Sequence, residues 1–164
     1  MRSRYIQRIV KYVLDSSALF SMQDLPNGVL YTVPGVILEL KKYKDPRLEY
    51  WDEFIEVIEP TKEFTETVEK AAKNSGDDLR LSPVDKTVLA LALETESSIL
   101  TDDYSIQNVA KILKIPYQGI GMKEIKEVIT WTYRCTGCRK EWPENYPDCP
   151  ICGSPLKSIR SRKR

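Results

Sequence analysis

Apolar positions along the chain fall into short continuous runs separated by stretches with a helical period. Residues 9–14 (IVKYVL) form a run of β type that stops at Asp15. A second run, GVLYTV at 28–33, leads into Pro34, a residue suited to the first turn of a helix. In that helix Val36, Ile37 and Leu40 make an apolar stripe, with Glu39 beside it. Asp45-Pro46 signals a turn, after which RLEYWDEFIEVIEP reads as a helix followed by a short strand near 55–59. TKEFTETVEKAAK is amphipathic, with Phe64, Val68 and Ala71 or Ala72 on one face, and NSGDDLRL reads as a polar, mobile loop. The plainest helix start is Ser82-Pro83, an N-cap followed by proline at the first helical position. A strand in SSIL and a helix marked by Ile106, Val109, Ala110 and Leu113 complete the series.

Strands alternating with helices predict an α/β fold with a mostly parallel central sheet covered on both faces. In such sheets functional groups gather beyond the carboxyl ends of the strands. Asp15, and the pair Asp102 and Asp103, hold that position. From about residue 128 the helical period is lost, so the chain divides into a unit at 1–127 and a smaller one at 128–164 that ends in the basic tail KSIRSRKR.

The length, 164 residues, suits one domain plus an appendage too short for a good core of its own. Net charge is only +1, but residues 1–129 carry 17 Lys+Arg against 21 Asp+Glu, and residues 130–164 carry 8 against 3. The basic end is therefore the candidate for contact with polyanions. Lys11 and Asp15 interrupt the first apolar run well short of a signal sequence or membrane span, so a cytoplasmic protein without membrane contact is expected. The chain has no histidine, which excludes Ser-His-Asp and Cys-His nucleophilic sites and histidine acid–base chemistry. Any hydrolysis must lean on carboxylates and metal ions.

All four cysteines lie near the C-terminus as Cys135-x2-Cys138-x10-Cys149-x2-Cys152. Each pair can present two thiolates about 3.7 Å apart to a tetrahedral zinc ion with Zn–S near 2.3 Å. A rubredoxin-like iron site and a redox dithiol are the alternatives. A unit this small cannot fold on apolar burial alone, so the metal belongs to its folding free energy. Arg134, Arg139, Lys140 and Lys157, with Tyr133, Trp142 and Tyr146, offer phosphate contacts and base stacking to RNA. Those aromatics serve equally as the small core of a purely structural ribbon.

The acidic residues have ordinary explanations one at a time. Asp15 or Asp102 can cap the following helix, Glu39 can be a solvated helix residue, and Ser82-x-x-Asp85 resembles a capping box. Converging at one sheet edge, they would repel unless a cation lay among them, and such oxygen ligands suit Mg²⁺ or Mn²⁺. A site of that kind activates water and stabilises the charged oxygens of a phosphodiester.

VLDSSALF, VPGVILEL, SPVDKTVLALALE and ILTDDYSIQNVA resemble, in sequence and order, the acidic motifs of PIN-domain ribonucleases. With the C-terminal four-cysteine ribbon the chain looks like the NIN-one-binding protein family in its compact archaeal form. The resemblance implies a PIN-like α/β/α sandwich and an endoribonuclease that cleaves the 3′ end of precursor small-subunit rRNA during ribosome biogenesis. It further implies single-stranded precursor rRNA and the small ribosomal subunit precursor as partners, and Mn²⁺ or Mg²⁺ as catalytic ion beside the ribbon zinc. Metal-binding roles would fall to Asp15, Glu39, Asp85 and Asp103, with Asp102 as the alternative to Asp103. Ser16 or Ser17 and Thr101 would hydrogen-bond these carboxylates or the scissile phosphate. Two other readings compete: a toxin-like PIN ribonuclease acting on tRNA or mRNA, and a non-catalytic RNA-binding scaffold that uses only the ribbon.

Overall fold

The computed structural model of the protein describes residues 9–121 and 128–161. The basic N-terminal flank, the residues just before the 127/128 division and the last three residues of the basic tail lie outside them. Five parallel strands form the first unit's sheet among the described residues: β1 (Lys11–Leu14), β2 (Val29–Thr32), β3 (Ile55–Val57), β4 (Ser98–Leu100) and β5 (Tyr117–Gln118). Successive side chains on a strand point to opposite faces. Val13 and Leu14 are nonetheless both fully buried, as are Ile99 and nearly all of Leu100, so helices cover the sheet on both sides. These are α1 (Ser16–Ser21), α2 (Pro34–Lys42), α3 (Leu48–Trp51), α4 (Lys62–Ser75), α5 (Pro83–Thr95) and α6 (Tyr104–Ile112).

Strand order is β3-β2-β1-β4-β5, so the chain builds outward in one direction from β1 and then returns to build on its other side. The reversal lies between β1 and β4, where the loops after the two strands diverge and leave a crevice. Register pairs Leu14 with Leu100, and the Asp15 amide continues the ladder by donating to the Leu100 carbonyl at 3.1 Å. Asp15 and Thr101 are thereby neighbours at the crevice. Helix α5 runs against the strands: Lys11, at the start of β1, reaches the Thr95 carbonyl at the helix end. Its first turn, carrying Asp85, therefore lies at the opposite edge of the sheet, with Asp15.

Helix α2 is drawn onto α5 by Gly35. A Cβ there would stand 2.5 Å from one γ-methyl of Val84 and 3.0 Å from the other, so only glycine lets the two helix starts meet this closely. The contact brings Glu39, on α2, toward the first turn of α5.

The second unit is an antiparallel sheet of β6 (Trp131–Cys135), β7 (Glu141–Trp142) and β8 (Leu156–Arg160), in the order β7-β6-β8. It docks on the segment expected from sequence to be a mobile polar loop. That expectation is corrected: Asp77 is 1% exposed. Its carboxylate accepts from the Trp131 indole at 2.9 Å, Asn108 Nδ2 at 2.7 Å and Ser75 Oγ at 2.5 Å. Burial pushes the Asp77 carboxyl up, against the pull of those three donors. Arg80 lies 3.4 Å over the Trp131 ring and donates to Ser158, while Asn108 closes a two-way bond with the Ile129 backbone. At Gly76, with φ of 81°, a Cβ would strike the Trp131 backbone. A charge in the loop thus became a structural anchor because tertiary donors surround it. Among the described residues no helix is long and apolar enough to cross a membrane.

Replacing Asp77 with Ala leaves the Trp131 indole and Asn108 amide without their acceptor. A loss of about 2 to 4 kcal/mol is expected, on the scale of a broken buried charge-assisted network. Urea unfolding followed by tryptophan fluorescence measures it; a loss below about 0.5 kcal/mol would refute the anchor.

Candidate active site and metal centre

Asp15 occupies the N-cap position of α1, yet its side chain makes no cap bond to the helix. It turns instead toward the end of β4 and is only 2% exposed. One oxygen, Oδ2, accepts from Ser17 Oγ and Thr101 Oγ1, both at 2.8 Å. Each hydroxyl is oriented by a backbone amide behind it: the Asp102 amide donates to Ser17 Oγ at 3.0 Å and the Asp103 amide to Thr101 Oγ1 at 3.0 Å. With their lone pairs engaged, the hydroxyl protons point at Asp15. The turn is held from below by Gln107, whose amide donates to the Thr101 carbonyl at 2.9 Å. Ser16 contributes its backbone N–H to the same carboxylate.

Burial pushes the Asp15 carboxyl up to about 6, more than the donors from Thr101 and Ser17 pull it down, and the charge of Asp85 adds to the rise. Asp85 is raised in turn, first by burial and then, among charges, by Asp103 and Glu39. These four carboxylates therefore sense one another across the crevice. Among the described residues only the cysteines bring three or more ligand atoms close enough to share one ion, so the carboxylates are a looser, open set. Such a donor set fits a hard divalent cation that keeps part of its water shell.

The ordinary explanations of the acids also hold in part. Asp85 and Ser82 make a full capping box, through Oδ2 to the Ser82 amide at 2.8 Å and Ser82 Oγ to the Asp85 amide at 3.1 Å. Asp103 caps α6 through Oδ1, which accepts from the amides of Ser105 and Ile106. In both residues one oxygen is engaged in the cap, which fixes the carboxylate at the helix start. Capping at the starts of α5 and α6 also sets two positive dipole ends against the clustered negative charge. Asp102 differs: Oδ1 accepts from the amides of Ile120 and Gly121, so its side chain is turned toward the segment after β5. That segment carried no sequence signal as an anchor for Asp102.

In the second unit the Sγ atoms of Cys135, Cys138, Cys149 and Cys152 all lie within 4.8 Å of one another. Separations of 3.3 Å for Cys135–Cys152 and 3.7 Å for Cys138–Cys149 approach the edges of a tetrahedron about a zinc ion. No pair is joined as a disulfide. Of the residues suggested for RNA contact, Tyr133 is buried and so cannot serve as a stacking platform, a correction that follows from β6 burying its Trp131–Tyr133–Cys135 face. Trp142 packs edge-on to Tyr146 with ring centroids 5.5 Å apart and lies under Lys140, and Arg134 is held by Glu141 at 2.6 Å. Arg139, Lys140 and Lys157 are exposed.

The buried Asp15 charge predicts a pH signature in metal-free protein. Because its folded pKa lies above the unfolded value, its contribution to stability is fully present below about pH 4 and lost as pH rises through about 6. Asp15→Asn keeps an oxygen for Ser17 and Thr101 but removes the charge. It should stabilise the metal-free chain by about 2 to 3 kcal/mol at pH 8 and by nothing at pH 3.5, read from denaturant midpoints. A gain independent of pH contradicts the assignment.

Residues 12–95 match the family model described as the PIN domain of ribonuclease. The endoribonuclease Nob1 of Pyrococcus abyssi is 38% identical over 161 residues, which cover 94% of this chain and 97% of that protein. The endoribonuclease Nob1 of Methanocaldococcus jannaschii is 38% identical over 159 residues, covering 93% and 79%. The ribonuclease VapC1 of Thermoplasma acidophilum is 43% identical over 158 residues, covering 93% and 80%. In fold, the chain is similar to the 2.2 Å structure of VapBC-1 from nontypeable Haemophilus influenzae, with a TM-score of 0.52 and 19% identity over 67% of this chain and 98% of that one. The chain belongs to the PIN-domain ribonucleases, as a Nob1-like nuclease whose substrate is RNA.

Proposed function

We propose that the protein is the endoribonuclease that cleaves the 3′ end of precursor small-subunit rRNA, working on single-stranded RNA within the small-subunit precursor. The observation that carries this reading is the joining of two modules in one chain through side-chain contacts. An acidic crevice at the β1/β4 switch is coupled through Asp77 and Trp131 to a four-cysteine ribbon, and the Nob1 relative of Pyrococcus abyssi matches across both. The relative named ribonuclease VapC1 favours a toxin-like alternative. Yet its match also spans 93% of this chain and so reaches into the ribbon, whereas the VapBC-1 structure covers 67%.

Asp15, Glu39, Asp85 and Asp103 would hold Mn²⁺ or Mg²⁺. The bound cation supplies charge neutralisation for the phosphodiester and lowers the pKa of a water. The chain's own part is positional. Ser17 and Thr101 fix the Asp15 carboxylate, and the caps of α5 and α6 fix Asp85 and Asp103, so the acids need little reorganisation during in-line attack by water. With no histidine to activate them and their protons directed at Asp15, the hydroxyls of Ser17 and Thr101 position the carboxylate, and water is the nucleophile, so no covalent enzyme intermediate forms. Asp102, tied to the segment after β5, supports the turn instead of the cation. The cysteines would hold zinc, with Arg139, Lys140 and Lys157 facing RNA.

With Mn²⁺ supplied, Asp15→Asn and Glu39→Gln should each cut an RNA spanning the rRNA 3′ end at least about 10³-fold more slowly while keeping RNA affinity within a few-fold. Undiminished cutting by Asp15→Asn would overturn the mechanism, and cleavage of tRNA in preference to the rRNA junction would favour the toxin-like reading. Elemental analysis of the purified chain should return about one zinc per molecule, and a strong chelator should unfold the ribbon, quenching the protection of Trp142. Retention of native Trp142 fluorescence after zinc removal contradicts a metal-dependent ribbon fold.

A further inference from the structure

The nuclease domain is acidic overall, with 17 Lys+Arg against 21 Asp+Glu in residues 1–129, and an acidic crevice repels the strand it must hold. One place on the same domain reverses that balance. At the end of α2, Lys41, Lys42 and Lys44 are all exposed and make no ion pair among the described residues. Between them stands Tyr43, 64% exposed, whose ring meets that of Phe20 edge to face with centroids 5.4 Å apart. Phe20 is itself 38% exposed. Two aromatic rings in water beside three unpaired lysines are not a packing solution, since neither ring is buried.

Their position along the helices connects them to the crevice. Residues four apart on a helix lie on one face. Tyr43 follows Glu39 by four residues, and its amide donates to the Glu39 carbonyl at 3.3 Å. Phe20 follows Ser16 by four residues on α1, the helix that begins at Asp15. The aromatic pair thus lies one helical turn beyond Glu39 on one side and one turn beyond Ser16, the neighbour of Asp15, on the other. Unpaired bases stack on such rings whatever their sequence, and lysines beside them take the phosphates.

We propose that Phe20 and Tyr43, with Lys41, Lys42 and Lys44, form a single-stranded RNA platform that grips unpaired nucleotides next to the scissile bond. The inference rests on the nuclease reading for the direction in which the strand leads, but not for the binding. A base-paired strand cannot offer its faces, so the platform selects single-stranded substrate. It also compensates, a turn away, for the repulsion between the carboxylates and the RNA backbone. The exposed basic residues of the ribbon then act as a separate, more distant contact.

The test uses the full chain with Asp15→Asn, so that no cutting interferes, and a fluorescein-labelled 12-nucleotide single-stranded RNA followed by anisotropy. Adding Phe20→Ala and Tyr43→Ala should raise Kd about tenfold, and Tyr43→Trp should restore most of the affinity. Replacing Lys41, Lys42 and Lys44 by Ala should flatten the dependence of log Kd on log salt by about 2. Affinity for a double-stranded RNA of the same length should not change with the aromatic variants. Tyr43→Ala alone, at a largely exposed position, must weaken single-strand binding several-fold with an unchanged melting temperature, which guards against a folding defect. Unchanged single-strand affinity in these variants overturns the platform. So does a change in self-association, seen by sedimentation, without any change in RNA affinity, which would make the face a protein contact. Absence of rRNA cutting by the unmodified chain would count against the proposed function and leave this binding measurement readable.

Discussion

The Asp15 carboxylate lies where the β1–β4 ladder ends, and the polar architecture around it follows from keeping a charge in a place nearly closed to water. Desolvation alone would favour the neutral acid. Two hydroxyls aimed at one oxygen work against that, and they are aimed because the amides of Asp102 and Asp103 occupy their lone pairs. The small size of Ser17 and Thr101 is part of the arrangement: the turn after β4 passes directly over the start of α1. A longer side chain in either place would separate the two strand ends. The same turn then supplies Asp103 as the cap of α6, so one short segment orients two carboxylates.

Helix starts and chemistry share residues here. A capping residue is held by the backbone it satisfies, which is also what a ligand carboxylate requires. Asp85 and Asp103 each hold a helix start through one oxygen, so structural and functional accounts of these acids do not compete. Asp15 is the exception. It occupies an N-cap position without a capping bond, its Oδ2 held by the Thr101 hydroxyl across the ladder and the Ser17 hydroxyl of its own short helix. Burial first, and then neighbouring carboxylates, raise Asp15 and Asp85, a condition unfavourable to the charged, metal-free crevice.

The ribbon is joined to the nuclease domain by a buried acid, an arginine stacked on tryptophan, and an asparagine bridging to backbone. Such groups are directional, unlike apolar contact, and they fix the angle at which β6 leaves the domain. The anchor lies at the α4–α5 loop and α6, and both α5 and α6 begin at the acidic crevice. The ribbon's exposed cations are therefore tied to the same helices that carry the carboxylates.

Sequence by itself determined a good deal. The apolar runs located β1, β2 and β4, because inner strands of a sheet covered on both faces are largely apolar; Ser82-Pro83 marked α5, because cap chemistry is local; and the spacing of four cysteines marked the ribbon, because two tight turns hold their ligands within reach. The set of acids was legible as candidates, since the motif order and strand ends are written in the chain. Tertiary structure alone decided the rest. The two-residue β5 has too little pattern to detect and exists because β4 offers it an edge. The direction in which Asp102 turns is set by amides of residues 120 and 121, far along the chain. Asp77 looked like loop polarity, and Tyr133 like an exposed aromatic, until a second module packed against them. Phe20 and Tyr43 stand 23 positions apart, and only the packing of α1 on α2 makes them a pair. Local periodicity reports which residues can be buried; what surrounds a charge or a ring is set by contacts between distant segments, which no local pattern encodes.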